Sequence, residues 1–183
     1  MGKTGRKLTA GLASAGLGGR PRTVLAQRRS MTAPTPPDGD WRGHLLERQS
    51  QIADLLARVR RVAVLGIKTA DSMAPAYYVP AYAQRAGWDV VPVPVYYPDV
   101  TEILGRPVYR RVADVPGPVD LVNVFRRPKD IPAHVDDILA ARPAAVWFQQ
   151  GIRHDESAER FARAGIDVVQ DRCLMVEMRM VGM

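Results

Sequence analysis

The stretch VAVLGIKTADSMAP (residues 62–75) reads as a strand, a turn and the opening of a helix. Val62 to Leu65 form an unbroken apolar run, as in a strand covered on both faces. Gly66 then permits a sharp backbone turn. Lys68 supplies a cation there, and Thr69 and Ser72 supply hydroxyls. A helix starting beyond them would offer unpaired amides to an anion. Dinucleotide folds place three glycines in such a turn, each for a steric reason. Here Lys68 and Asp71 occupy the second and third of those positions, and the next glycine is Gly87. The acid that would hold a ribose diol after the second strand is also poorly supplied. Pro92, Val93, Pro94 and Val95 fill that place, and Asp99 lies past a further proline. The turn is phosphate-compatible but is not an NAD fingerprint. The plainer reading is an ordinary strand-to-helix loop with a solvated lysine.

Beyond this turn, apolar runs alternate with helix-like segments. Strands are expected at Val62–Leu65, Val90–Val93, Leu121–Phe125, Ala145–Phe148 and Asp167–Val169. Helices are expected near Ala76–Ala86, Pro128–Ala141 and Asp155–Ala164, after an amphipathic helix over His44–Arg60. RAGWDVVPV and RAGIDVV share one pattern, a helix ending at Gly87 or Gly165 and a short turn into a strand. His154-Asp-Glu-Ser reads as a helix opening, with carboxylates at the positive end. Pro80 is expected to be tolerated only near a first turn, where amides lack helical partners. The expected fold is α/β, a Rossmann-like doubly wound parallel sheet of about five strands in a single domain over residues 41–183. Its ligand belongs at the carboxyl ends of the strands.

The formal charge of +7 is not spread along the chain. Residues 1–37 hold Lys3, Arg6, Lys7, Arg20, Arg22, Arg28 and Arg29 and no acid, whereas the 19 remaining basic residues meet all 19 acidic ones. A nucleic-acid binder carries its basic patch on the folded domain, interleaved with aromatics. This acid-free segment has no aromatic residue, so a nucleic-acid partner is not expected. Residues 1–40 read as a disordered basic tail and linker. An organellar transit segment, or translated sequence upstream of a start at Met31, are the other readings. No run reaches the roughly 18 apolar residues of a membrane span. The single cysteine, Cys173, requires no oxidising compartment, and a cytoplasmic protein is expected.

VAVLGIK, AGWDVVPVPV, ILGRPVYRRVADVPGPVDLVNVFR, AAVWFQQGI and RAGIDVVQDRC follow one another over about Arg61–Glu177. In that order they resemble the small stand-alone CoA-binding proteins, whose domain is similar to the CoA-binding domain of the succinyl-CoA synthetase alpha subunit. The resemblance implies binding of coenzyme A or an acyl-CoA, without chemistry of the chain's own. It implies that Gly66, Ile67, Lys68 and Thr69 line the phosphate or nucleotide end. Pro92, Val93 and Pro94 would sit beside the ligand, Val124, Phe125 and Arg126 at the end of the third strand, and Phe148, Gln149 and Gln150 as a wall at the fourth. The family commonly has Gly-Ala-Ser where Gly66-Ile67-Lys68 stands here, and Pro-Val-Asn-Pro where Pro92-Val93-Pro94-Val95 stands. Either Lys68 pairs with a phosphate, or Ile67 blocks it.

No Ser-His-Asp set, Cys-His pair or metal cluster can be assembled from the sequence. His44, His134 and His154 read as surface or capping residues. Cys173 reads as a small buried residue, or as a thiol near a helix start that CoA could engage. Met175, Met178, Met180 and Met183 read as a packing edge, or as a homodimer interface. An NAD-binding oxidoreductase or redox sensor, and a regulatory partner with a degenerate pocket, are the competing functions. Because the basic segment segregates its charge and offers little to bury, deleting residues 1–30 is expected to leave the melting temperature unchanged in a thermal scan.

Overall fold

Five apolar segments assemble into one parallel sheet in the computed structural model, which describes residues 40–183. The basic tail therefore lies outside the described residues, apart from Asp40. The sheet strands are β1 (Arg61–Leu65), β2 (Asp89–Val93), β5 (Leu121–Val124), β6 (Ala145–Phe148) and β7 (Asp167–Val169), in the order β2-β1-β5-β6-β7. A two-stranded hairpin, β3 (Glu102–Ile103) with β4 (Arg106–Pro107), stands apart. The helices are α1 (Gln49–Arg58), α2 (Pro75–Arg85), α3 (Val135–Ala141), α4 (Asp155–Arg163) and α5 (Leu174–Met180).

Period-two alternation divides the core between the two faces. Val62, Val64, Leu121 and Trp147 pack with Ile52, Leu55, Val79, Leu174 and Met178 of α1, α2 and α5. Ala63, Leu65, Val122, Val146 and Phe148 pack with Val135, Ile138, Ala158 and Phe161 of α3 and α4. Both faces are covered, which is why the strands read as continuous apolar runs.

Three segments differ from the sequence reading. The helix expected over His44–Arg60 is confined to α1, because Leu45 and Leu46 run extended beside β7 instead. Leu45 bridges Val168, and the Leu46 amide donates to the Val168 carbonyl at 2.8 Å. The helix expected from Pro128 begins as a 3-10 turn, Pro128–His134, before α3. Pro132 has no amide for an α-helical bond. Pro80 lies in the middle of α2, not in its first turn.

The sheet's amino end is fixed by one carboxylate. Asp120 Oδ2 accepts the amides of Arg60 and Arg61, each at 2.8 Å, where β1 begins. Asp120→Ala leaves both donors unpaired and is expected to cost about 1–3 kcal/mol, read as a lower urea midpoint with an unchanged slope.

Candidate functional site at the switch in strand order

After β1 the chain crosses to β2 on one side, and after β5 it crosses to β6 on the other. The carboxyl ends of β1 and β5 therefore open a crevice where α/β sheets take their ligands. Gly66 makes it. Its φ is +83°, and a Cβ there would stand 2.5 Å from the Phe125 carbonyl oxygen. Its amide donates to the Val93 carbonyl at 2.8 Å, and the Phe125 amide donates to the Leu65 carbonyl at 2.9 Å. Three strand ends are thereby tied at one point.

The loop beyond Gly66 is anchored through Pro80. A proline at that position cannot bond the carbonyl four residues back, which is that of Ala76. The freed oxygen accepts the amide of Lys68 at 3.1 Å. The helix defect and the loop anchor are one feature. The Thr69 carbonyl accepts both the amide and the hydroxyl of Ser72, at 3.2 and 2.8 Å. The amides of Thr69 and Ala70 have no acceptor among the described residues. They are free donors beside the crevice.

The opposite lip is cationic. Arg126 runs across Gly66, with its Cδ 3.1 Å from where a Cβ would stand. Its side chain is only 11% exposed, and its Nε is buried without a partner. The guanidinium lies 5.3 Å from the ring centre of Tyr96 and 3.5 Å from Asp130. Asp130 also accepts from Arg127 Nε at 2.7 Å. That hydrogen bond, with the charges of Arg127, Arg126 and Lys129, holds its carboxyl below the ordinary range despite some desolvation. Arg126, as hydrogen-bond donor and as charge, likewise lowers the Tyr96 phenol. Burial, and then the charge of Arg126, lowers His134. The guanidinium charges thus favour the anionic forms of Asp130 and Tyr96, while Asp130 in turn raises Arg127 and burial is the first cause at His134.

The residues implied by the resemblance do not all reach the crevice. Gly66, Lys68, Thr69, Phe125 and Arg126 gather around the crevice. Ile67, Val93, Val124 and Phe148 bury their side chains in the core, each no more than 1% exposed. Those four offer only backbone to the edge. Ile67 belongs to the cluster under α1 and α2, so it does not plug the crevice with its side chain. Pro92 lies in edge strand β2, where a missing amide costs least, and its carbonyl accepts Tyr109 N–H at 2.9 Å. Pro94 is buried just past that strand's end. Gln149 is buried; its amide donates to Asn123 Oδ1 at 2.8 Å and its oxygen accepts Leu174 N–H at 3.3 Å. Gln150 is exposed just past β6, one strand beyond β5.

The sequence reading did not single out Asn123, Tyr96 or Asp130. Asn123 is fully buried with an unpartnered Nδ2, and a lone amide inside LVNVF was the available signal. His154 caps α4, its Nδ1 accepting Ser157 N–H at 3.2 Å. His44 pairs with Asp167 at 2.8 Å. Cys173 is half-buried before α5. Met178 is buried, Met175 and Met183 pack on the core, and Met180 is 64% exposed. Separately, an open cleft of about 540 Å³ lies at the carboxyl ends of β6 and β7, lined in part by Leu45, Gln150, Arg172, Cys173 and Val176. Among the described residues no group of three or more His, Cys, Asp or Glu is placed to hold a metal ion, and no helix is long and apolar enough to cross a membrane.

A five-stranded parallel sheet in this order, closed by a one-glycine turn at its switch, defines a Rossmann-like α/β domain. Residues 60–179 match the family described as the CoA binding domain, and the chain belongs to that family. An uncharacterized Bacillus subtilis protein, YneT, is 30% identical over 128 residues, spanning 70% of this chain and 92% of its own. A solved structure from Thermus thermophilus is 38% identical with a TM-score of 0.68, covering 74% of this chain and 99% of that one. A hypothetical protein from Pyrococcus horikoshii is 29% identical with a TM-score of 0.67, covering 74% and 92%.

Two substitutions separate backbone from side-chain roles in the turn. Gly66→Ala meets both positive φ and the Phe125 carbonyl and is expected to cost about 2 kcal/mol or more. Ile67→Ala empties a core site and is expected to cost about 2–5 kcal/mol. Urea denaturation of both variants checks the pair.

Proposed function

We propose that this protein binds coenzyme A or an acyl-CoA at the carboxyl edge of its sheet, with the phosphates in the β1–β5 crevice, and does not itself transform it. Family membership supports this ligand class. The observation that carries the reading is Arg126, a largely buried guanidinium with an unpartnered Nε. It lies across Gly66, and the loop that follows Gly66 leaves the Thr69 and Ala70 amides free. Guanidinium and backbone amides are the donors phosphates take. Lys68 adds a half-buried cation on the same loop. The residues present therefore fit a phosphate-bearing ligand.

The non-catalytic part of the reading rests on the state of the nearby groups. A general base needs a carboxylate or imidazole poised to take a proton. Asp130 is held ionised by two arginines, which lowers its basicity. His134 has its proton affinity reduced as well. The crevice is built to hold negative charge, not to move protons.

CoA is expected to raise the melting temperature more than NAD at equal concentration. At a hundredfold excess over its dissociation constant, the ligand would add about 2.7 kcal/mol of stability. Arg126→Ala should weaken CoA by about 1.5–3 kcal/mol in isothermal titration. Stabilisation by NAD and not by CoA would overturn the reading.

A further inference from the structure

Arg126 is covered from two sides. Its side chain is 11% exposed, so an anion approaching from solvent meets little of the guanidinium. One cover is Asp130, 3.5 Å away and four residues further along the same segment. The other is Tyr96, whose ring centre lies 5.3 Å from the guanidinium carbon. Tyr96 reaches Arg126 from a different strand end, since it follows β2 and Arg126 follows β5. The two covers are held with different firmness. Asp130 sits inside a 3-10 turn and also accepts from Arg127 at 2.7 Å. Tyr96 is 53% exposed, with open solvent on its outer side.

The chain around Tyr96 is anchored on both sides and loose between. Before it, the Val93 carbonyl accepts the Gly66 amide and Pro94 is buried. After it, Arg110 grips three carbonyls. Its Nη1 donates to Tyr97 at 3.0 Å, and its Nη2 donates to Pro98 at 2.8 Å and to Val100 at 2.6 Å. Only Val95 and Tyr96 stand between the anchors. Both are exposed, and their backbone groups make no hydrogen bond to another described residue. Tyr97, at the junction, has a φ of +66°, a left-handed conformation unfavourable for a residue with a side chain. A turn of the chain there is not opposed by the residue's own backbone preference.

We propose that Tyr96 is a gate on Arg126. Without a ligand its ring lies over the guanidinium and shields it from water. A phosphate-bearing ligand pushes the ring outward and takes its place, while Asp130 stays where it is. The closed arrangement leaves Arg126 Nε buried without a partner, a donor for which a phosphate oxygen is the better acceptor. The ring is therefore a competitor of the ligand and not part of the surface that holds it. A cation–π contact at an exposed site corresponds to about two- to fivefold in an equilibrium constant, and the closed gate weakens anion binding by that factor. The gate rests on the reading of Arg126 as a phosphate-binding group given above.

The test reads Arg126 first without ligand and then with CoA. Phenylglyoxal adds to accessible guanidinium groups, and tandem mass spectrometry separates Arg126 from Arg127, whose 67% exposed side chain is the internal reference. Tyr96→Ala is expected to speed the modification of Arg126 severalfold relative to Arg127. Tyr96→Phe keeps the ring and should leave Arg126 as slow as in the wild type. An unchanged melting temperature verifies that both variants fold. In isothermal titration Tyr96→Ala should bind CoA about two- to fivefold more tightly than the wild type, and Tyr96→Phe should match it. Equal modification rates for Arg126 in all three proteins overturn the gate. CoA binding that is unchanged or weaker in Tyr96→Ala overturns it too, because the ring would then not compete with the ligand. Faster modification in Tyr96→Ala, with CoA bound by none of the three, would instead bring down the CoA reading and leave the gate as the cover of Arg126.

Discussion

Everything at the edge of this sheet depends on the contact between Gly66 and the backbone of Phe125. The turn after β1 passes so close to the end of β5 that no side chain fits between them. That approach lays the Arg126 side chain across the turn, with its head group beside Tyr96 and Asp130. Any Cβ at residue 66 would push the two lips apart and loosen the bond from Gly66 to Val93 as well. The site is thus set by an absence of atoms at one position, and its cations are arranged around that gap.

The loop's conformation has a second, less obvious source. Pro80 is a poor helix residue in the middle of α2, and its cost would ordinarily be a wasted carbonyl. Here the carbonyl of Ala76 holds the amide of Lys68. A defect in a buried helix and the order of an exposed loop are therefore coupled over twelve residues of sequence. The coupling also decides which amides remain for an anion, because Lys68 spends its own and Thr69 and Ala70 keep theirs.

The strands were legible because burial on both faces leaves few polar positions to confuse the pattern, and all five end within a residue of the apolar run that marks them. Of α5 only a start near Cys173 was legible, since its seven residues are too few for a helical period. The β3–β4 hairpin escaped notice because two-residue strands carry no alternation, and its turn puts Leu104 and Gly105 at positive φ. At the site, the turn and the strand ends could be read from order alone. Which side chains point into the core could not. Ile67 and Lys68 are neighbours in sequence, yet one is buried and the other reaches the loop surface. Tyr96, Arg126 and Asp130 come together only because β1, which lies between β2 and β5, ends where it does.

The segment beside β7 carries a consequence for the exposed edges of the sheet. An open parallel sheet has two rows of unpaired backbone groups, one on each flank, and these are templates for intermolecular strand addition. On the β2 flank a proline replaces one donor, and the Tyr109 amide occupies an acceptor. On the β7 flank Leu45 and Leu46 take the exposed groups of Val168, while His44 and Arg58 close over Asp167. With one flank covered and the other interrupted by a proline, the backbone groups that could template strand addition from a second molecule are few.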